Sequence, residues 1–254
     1  MKTVLITGAS SGIGAATAKV YAKNGYNLIL TARRMNMLQE LKGEISTKNK
    51  VDIDLFSVDL SLAKGAEELY NLITKDKLKV DVLINNAGFG TFMEFKKCDI
   101  DREEQMLNLN ILSLTKLTKL FVDDMLKLGG GNIINIASAA AFQSVPYLAT
   151  YAASKAYVLS FSEAIAYELK SSNIFVTVVS PGATASEFAD TAGFKGGDMF
   201  NNVPTSADLA EFIFNSMKKK KVSPIHGLKN NILTFSLRFS PRKLNTAVAG
   251  RMMK

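Results

Sequence analysis

Tyr151 and Lys155 stand four residues apart in ATYAASKAYVLSF, a stretch that reads as helix, so both side chains project from one face. A phenol titrates at about 10 and is a poor acid or base at neutral pH. An ammonium beside it favours the phenolate and lowers that value, which suits the pair to proton transfer at a reacting oxygen. A second constellation opens the chain, where MKTVLI runs straight into TGASSGIG. Glycine weakens both strands and helices, so Gly8, Gly12 and Gly14 need a reason. A glycine-rich turn between a strand end and a helix start lets backbone approach a pyrophosphate, which then faces free N–H groups and the positive end of the helix dipole. The spacing here is GxxxGxG, not the GxGxxG of the general dinucleotide fingerprint, and a tight turn without a ligand is the other reading of this stretch alone.

The elements that must position these residues alternate along the chain. TVLIT (3–7) is apolar and β-branched like a strand covered on both faces, and AATAKVYAKNG (15–25) is helical with a glycine stop. YNLILTA (26–32), VDIDLFSVDL (51–60), VDVLINNAG (80–88), NIINIAS (132–138) and IFVTVVSPG (174–182) read as further strands. Amphipathic or helical segments lie near 64–75, 101–128 and 150–171. The pattern builds βαβ units into one parallel sheet, with no linker or repeat to divide residues 1–254 into more than one domain. The long segment 101–128 is apolar on more than one side, which calls for either deep burial or a second subunit.

Composition excludes several classes. One cysteine, Cys98, makes no internal disulfide, and one histidine, His226, builds no metal cluster, so no metal site is expected. The start shows no secretory signal, which points to the cytoplasm. The charge-free stretch 132–154 is long enough to cross a bilayer, but Asn132, Asn135, Ser138, Gln143, Ser144 and Pro146 interrupt it. The net charge of +8 fits nucleic acid, an anionic membrane or an anionic small molecule, and Lys218–Lys221 fit a helix C-terminus.

TGxxxGIG, NNAG at Asn85–Gly88, Ser138 at a strand end, YxxxK at Tyr151 and Lys155, and PG at Pro181 and Gly182 together resemble, in order and spacing, the compact branch of the short-chain dehydrogenase/reductase family. The resemblance covers roughly residues 2–190. It implies a single-domain Rossmann-type doubly wound parallel sheet with helices on both faces, binding NAD(H) or NADP(H) and transferring hydride between the nicotinamide and a carbonyl or alcohol. By resemblance, Tyr151 is the general acid/base, Lys155 lowers its pKa and holds the nicotinamide ribose, Ser138 bonds the substrate oxygen and Asn110 supports a water relay. Gly8, Ser10, Ser11, Gly12, Ile13 and Gly14 form the phosphate turn; Asp59 contacts the adenine; Asn85, Ala87 and Gly88 line the nucleotide cleft. Pro181, Gly182 and Ser186 complete it, with Ser186 where the family usually has threonine.

The second strand ends in TARR, with Ala32 near the position where NAD-selective proteins carry an acid and Arg33 directly after it. A guanidinium there grips a 2′-phosphate, so the expected cofactor is NADP(H). Segment 186–204 is the expected substrate loop, with Gly193, Gly196 and Gly197 permitting motion and Phe188, Phe194, Met199 and Phe200 giving an apolar inner face. With Phe89, Phe92 and Phe142, these aromatics fit a hydrophobic ketone, aldehyde or 3-oxoacyl substrate. The tail 228–254 reads as a pocket closure, a subunit contact or a basic segment on an anionic membrane, broken by Pro241. The expected protein is an NADPH-dependent carbonyl reductase forming a homodimer or homotetramer and binding no nucleic acid. Its rivals are a non-catalytic NADP(H)-binding protein and a membrane or nucleic-acid binder using the basic tail.

Overall fold

Apolar runs of five or six residues dominate the sheet because its strands are covered on both sides. The computed structural model describes residues 1–194 and 203–253, without the side chain of Asp190. Strands β1 (Thr3–Thr7), β2 (Asn27–Ala32), β3 (Ile53–Ser57), β4 (Val82–Asn85), β5 (Gly131–Ile136) and β6 (Ile174–Val179) form one parallel sheet in the order β3-β2-β1-β4-β5-β6. This is the Rossmann-type order expected from the sequence. Beyond β6, backbone bonds from Val178 to Val222, Ser180 to Pro224 and His226 to Ser180 add an irregular parallel edge. The direction of winding reverses between β1 and β4, and in such sheets ligands sit beyond the strand ends at that reversal.

Successive strand residues face opposite sides. Val4 and Ile6 of β1 pack with α1 (Gly12–Lys23), α2 (Met35–Ser46) and α8 (Ser206–Lys218), through Tyr21, Leu38 and Ile213 among others. Leu5 packs on the other face with α3 (Gly65–Lys75) and α5 (Leu114–Lys127), through Leu69 and Phe121. Helix α2 was not anticipated from the sequence, although Leu38, Leu41 and Ile45 bury one face at helical spacing. Helix α6 (Ala149–Leu169) falls where the Tyr151 segment reads as helix, and the short α7 (Phe188–Ala192) follows β6.

The segment expected as one helix over 101–128 is three: α4 (Ile100–Leu107), a π-helical stretch Asn108–Ser113, and α5. The wide turn lets Asn110 and Ser113 both point inward, Asn110 being 1% exposed, whereas Leu112 is 50% exposed. The apolar character of this segment is therefore divided: Leu117, Phe121 and Met125 are core, while Leu107, Leu112 and Leu126 remain on the surface.

One polar ladder crosses the core beneath the strand ends. Asn85 donates to Thr118 Oγ1 (3.1 Å) and Asn135 Oδ1 (2.9 Å), and Asn135 donates to Ser162 Oγ (2.8 Å). It ties β4 and β5 to α5 and α6. Asn135→Leu should lower unfolding free energy by at least about 2 kcal/mol, because it strands buried groups of Asn85 and Ser162. Urea denaturation followed by circular dichroism checks this.

Candidate active site

The glycine turn is built by exclusion of side chains. Gly8 (φ +66°) and Gly12 (φ +53°) occupy the left-handed region, and a Cβ on Gly14 would lie 2.2 Å from the Gly8 carbonyl oxygen. A Cβ on Gly8 would meet Ala87 Cα at 2.8 Å. The turn is locked to the end of β4: Asn86 Nδ2 donates to the carbonyls of Thr7 (2.9 Å) and Gly8 (3.2 Å), while Thr7 Oγ1 accepts from the Asn86 and Ala87 N–H groups at 3.0 Å. Helix α1 begins here with extended Ser11 at its N-cap, no side-chain cap and no acid in its first turn, so its positive end is free for an anion.

Beside the turn, Arg34 donates to Ser10 Oγ (3.2 Å), Ser11 Oγ (2.9 Å) and Glu187 Oε2 (2.8 Å). Ser11 also donates to Glu187, and the bonds from Arg34 and Ser11 hold that carboxyl below the usual range. Arg33 is more open, with Nη1 3.9 Å from Asp59 Oδ2, while Asp59 Oδ1 accepts from the Ser61 N–H and hydroxyl. Arg34, Asn86 and Glu187 were not singled out as site residues from the sequence. Arg34 was legible in TARR; Asn86 and Glu187 carry no local signal that separates them from their neighbours.

A cavity of about 810 Å³ joins this cradle to Ser138, Tyr151 and Lys155. Every residue assigned to the cofactor from the sequence lines it, including Ile13, Gly88, Pro181, Gly182 and Ser186, with one exception. Asn85 does not: it is 4% exposed and spends its amide on the core ladder, so its expected place in the cleft is corrected to Asn86. Ser186 sits directly over the turn, 3.1 Å from where a Gly12 Cβ would be.

Ser138 follows β5 and accepts from the Ala140 N–H at 3.1 Å, and its hydroxyl favours the Tyr151 phenolate. Lys155 donates to the Ile136 carbonyl at 2.8 Å, with Nζ 5.8 Å from the Tyr151 ring centre. Burial disfavours both charged forms: it pushes the Tyr151 phenol up to about 12, partly opposed by Ser138, and lowers Lys155 to about 8. Burial is the larger influence on Tyr151, and the group that lowers it is Ser138 rather than the expected Lys155.

Asn110 lies outside the cavity wall. Its amide donates to Phe89 O and Ser154 Oγ, both at 3.0 Å, and its carbonyl accepts from the Phe89 N–H at 3.3 Å. Its Oδ1 and Lys155 Nζ flank Gly88, where a Cβ would meet them at 2.9 and 3.3 Å. Phe89, Phe188 and Phe194 line the cavity; Phe92 stacks on Phe194 at 4.3 Å, and Phe142 stands apart from the lining. Gly196, Gly197, Met199 and Phe200 lie outside the described residues. The outer wall comes from α9 (Leu228–Ser236), the 3-10 turn Leu237–Phe239 and α10 (Arg242–Met252), through Asn230, Leu233, Leu237, Leu244, Val248 and Met252. Cys98 and His226 take no part: the thiol contacts Glu94 O, and the imidazole packs on Phe212 at 4.9 Å.

The turn fits a nicotinamide dinucleotide: side chains are excluded where a pyrophosphate would approach, free amides face it, and cations and hydroxyls stand at the β2 end. Gly14→Ala should weaken dinucleotide binding at least about tenfold, since the added Cβ forces the turn apart. Titration of NADPH fluorescence measures this.

The short chain dehydrogenase family model matches residues 2–194. The chain is similar to the very-long-chain 3-oxoacyl-CoA reductase of Rattus norvegicus, 34% identical over 73% of this chain and 60% of that protein. It spans 60% to 66% of the length of that reductase and of the Gallus gallus hydroxysteroid dehydrogenase-like protein 1. Among solved structures, a short-chain dehydrogenase from Sphingobium yanoikuyae in complex with NADPH superposes with a TM-score of 0.85 at 29% identity, covering 94% of each chain. A 3-ketoacyl-(acyl-carrier-protein) reductase from Brucella melitensis complexed with NADH gives 0.78 at 25% identity, over 89% of this chain and 96% of that one. With the family model matching most of its length, the chain belongs to the short-chain dehydrogenase/reductase family.

Proposed function

We propose that this protein is an NADPH-dependent reductase of hydrophobic carbonyl compounds, with Tyr151 as the proton donor. The observation that carries the reading is the convergence, in one cavity, of the glycine turn, the Ser138–Tyr151 hydroxyl pair and a buried Lys155. When bound, the reduced dinucleotide supplies hydride to the carbonyl carbon. Ser138 and Tyr151 donate hydrogen bonds to the carbonyl oxygen, and Tyr151 passes its proton as charge develops there. Burial keeps the phenol protonated across neutral pH, the form reduction requires. Lys155, raised from solvent into the floor of the site, remains largely protonated at pH 7 and favours the phenolate left behind. Asn110 positions the loop at Phe89 and, through Ser154, helix α6. In this reading residues 1–254 form one catalytic domain, with 186–204 as the substrate loop and 228–254 as the tail that closes the pocket. Its apolar wall of Phe89, Phe188, Phe194 and Leu233 suits an apolar substrate.

Tyr151→Phe removes the transferable proton and little volume. It should lower kcat by at least about a hundredfold with NADPH affinity nearly unchanged. Steady-state NADPH consumption across ketones, aldehydes and 3-oxoacyl thioesters tests both statements. Substantial turnover by the variant would remove Tyr151 from its role. No turnover by the wild-type protein on any of them, with NADPH bound, would favour a non-catalytic dinucleotide-binding protein.

Preference for NADPH is inferred from Arg33 and Arg34 at the end of β2, where Ala32 stands in place of an acid; Asp59 and Glu187 each face one of the two guanidiniums. A 2′-phosphate would compete with Glu187 for Arg34. A charge-assisted bond of about 1.5–3 kcal/mol gives a kcat/KM ratio for NADPH over NADH of roughly ten- to a hundredfold. Arg33→Asp should narrow or reverse it, and equal use of both cofactors by the wild-type enzyme contradicts the preference.

A further inference from the structure

The charge of this chain is unevenly distributed. No Asp or Glu follows Glu211, and ten Lys and Arg lie beyond it; the preceding residues hold 21 Lys and Arg against 23 Asp and Glu. The positive balance of the whole chain therefore comes from its last part. Within it, Lys229, Arg238, Arg242, Lys243 and Arg251 are all exposed, and none pairs with a carboxylate among the described residues.

Helices α9 and α10 and the 3-10 turn Leu237–Phe239 between them expose large apolar side chains to solvent. Leu228 (76%), Ile232 (61%), Phe235 (59%) and Phe239 (76%) are open and lie outside the cavity lining, and the rings of Phe235 and Phe239 meet edge to face at 5.2 Å. Leu233, Leu244, Val248 and Met252 are also exposed, yet line the cavity, so they form its rim. The helices are fixed to the body rather than free: Asn230 packs against Gly182, whose Cβ would lie 2.3 Å from Asn230 Nδ2, and Gly250 sits on Pro146. The segment from α9 to α10 thus carries cations without a carboxylate partner among the described residues, exposed aromatics, and side chains of the cavity's apolar mouth.

We propose that α9 and α10 dock on an anionic lipid bilayer and open the active-site cavity toward it, so that an amphiphilic carbonyl substrate enters from the lipid. The substrate half of this statement rests on the reductase reading above. Aromatic and aliphatic side chains beside cations, with no acid among them, are the chemistry of an interfacial amphipathic surface. A nucleic acid would use the cations but leave the phenylalanines in water. A second copy of the same surface would set cations against cations with no carboxylate in either tail to neutralise them. No helix among the described residues is long and apolar enough to cross a membrane, so the contact is interfacial.

Sedimentation of the full chain with vesicles tests the docking. Wild-type protein should pellet with phosphatidylcholine vesicles containing about 30% phosphatidylserine, and lose most of that binding with pure phosphatidylcholine or at about 0.5 M salt. Phe235→Ser/Phe239→Ser should weaken binding about tenfold or more, leave turnover of a short water-soluble ketone unchanged, and reduce kcat/KM for a long-chain carbonyl presented in the vesicles. Should that variant lose soluble turnover, Arg238→Glu/Arg242→Glu is read the same way, and the lipid-composition and salt arms on wild type stand without either. Failure of wild type to pellet overturns the proposal, as does equal pelleting by the variants. So does halving of the mass in light scattering when the two phenylalanines are removed, which assigns the surface to a second copy, or binding to duplex DNA in preference to vesicles. Turnover of the soluble ketone without vesicle binding sinks the docking alone; vesicle binding without turnover of any carbonyl sinks the reductase reading and with it the entry route.

Discussion

Between the ends of β1 and β4 there is no room for a side chain, and the site is organised around that restriction. Gly8 lies against Ala87, Gly14 lies against Gly8, and Asn86 and Thr7 bind the two strand ends together through four hydrogen bonds. The close approach brings the N-terminus of α1 to the sheet edge with its amides uncovered, which is the electrostatic requirement for holding an anion there. Any bulk at Gly8 or Gly14 would separate the strand ends and move the helix dipole away from the space it must act on. The loop that follows β4 then has its position set for it, and Asn110 in the π-helical turn fixes that loop at Phe89.

Burial sets the chemistry at the other end of the cavity. Tyr151 and Lys155 share a helix face, and desolvation disfavours the charged form of each, pushing the phenol up and lowering the ammonium to about 8, so that both hold their protons at pH 7. Ser138 is the partner that opposes this on Tyr151, and its own orientation is fixed by the Ala140 amide. Phe188, its ring 5.2 Å from that of Tyr151, and the aliphatic rim from α9 and α10 give the site an apolar lining.

Much of this was legible in the sequence because it depends on spacing along one element or on glycine where no other residue fits. The strands showed as β-branched runs, the turn as three glycines, and the Tyr151–Lys155 pair as a helical interval. What escaped depends on which way a side chain turns. Asn85 and Asn86 are adjacent and identical in type, yet one faces the core ladder and the other the turn, a choice set by strand alternation at the end of β4. The π-helical widening at Asn108–Ser113 left no compositional mark, since it adds one residue to a turn without changing the apolar pattern. Helix α2 carries its signal in Leu38, Leu41 and Ile45, which bury one face at helical spacing. The contribution of α9 and α10 to the cavity wall is a tertiary fact that their mixed apolar and basic composition left open.

The central claim is that these groups meet so that a hydride and a proton reach one carbonyl from two sides. Its most direct measurement follows the atom. The protein is given NADPH carrying deuterium at both positions of the nicotinamide C4 together with a hydrophobic ketone, and the product alcohol is examined by mass spectrometry and NMR. The account predicts one deuterium on the carbinol carbon with the wild-type protein. Cofactor that binds yet transfers no label to any carbonyl offered, or label that arrives equally well in the Tyr151→Phe variant, would contradict it.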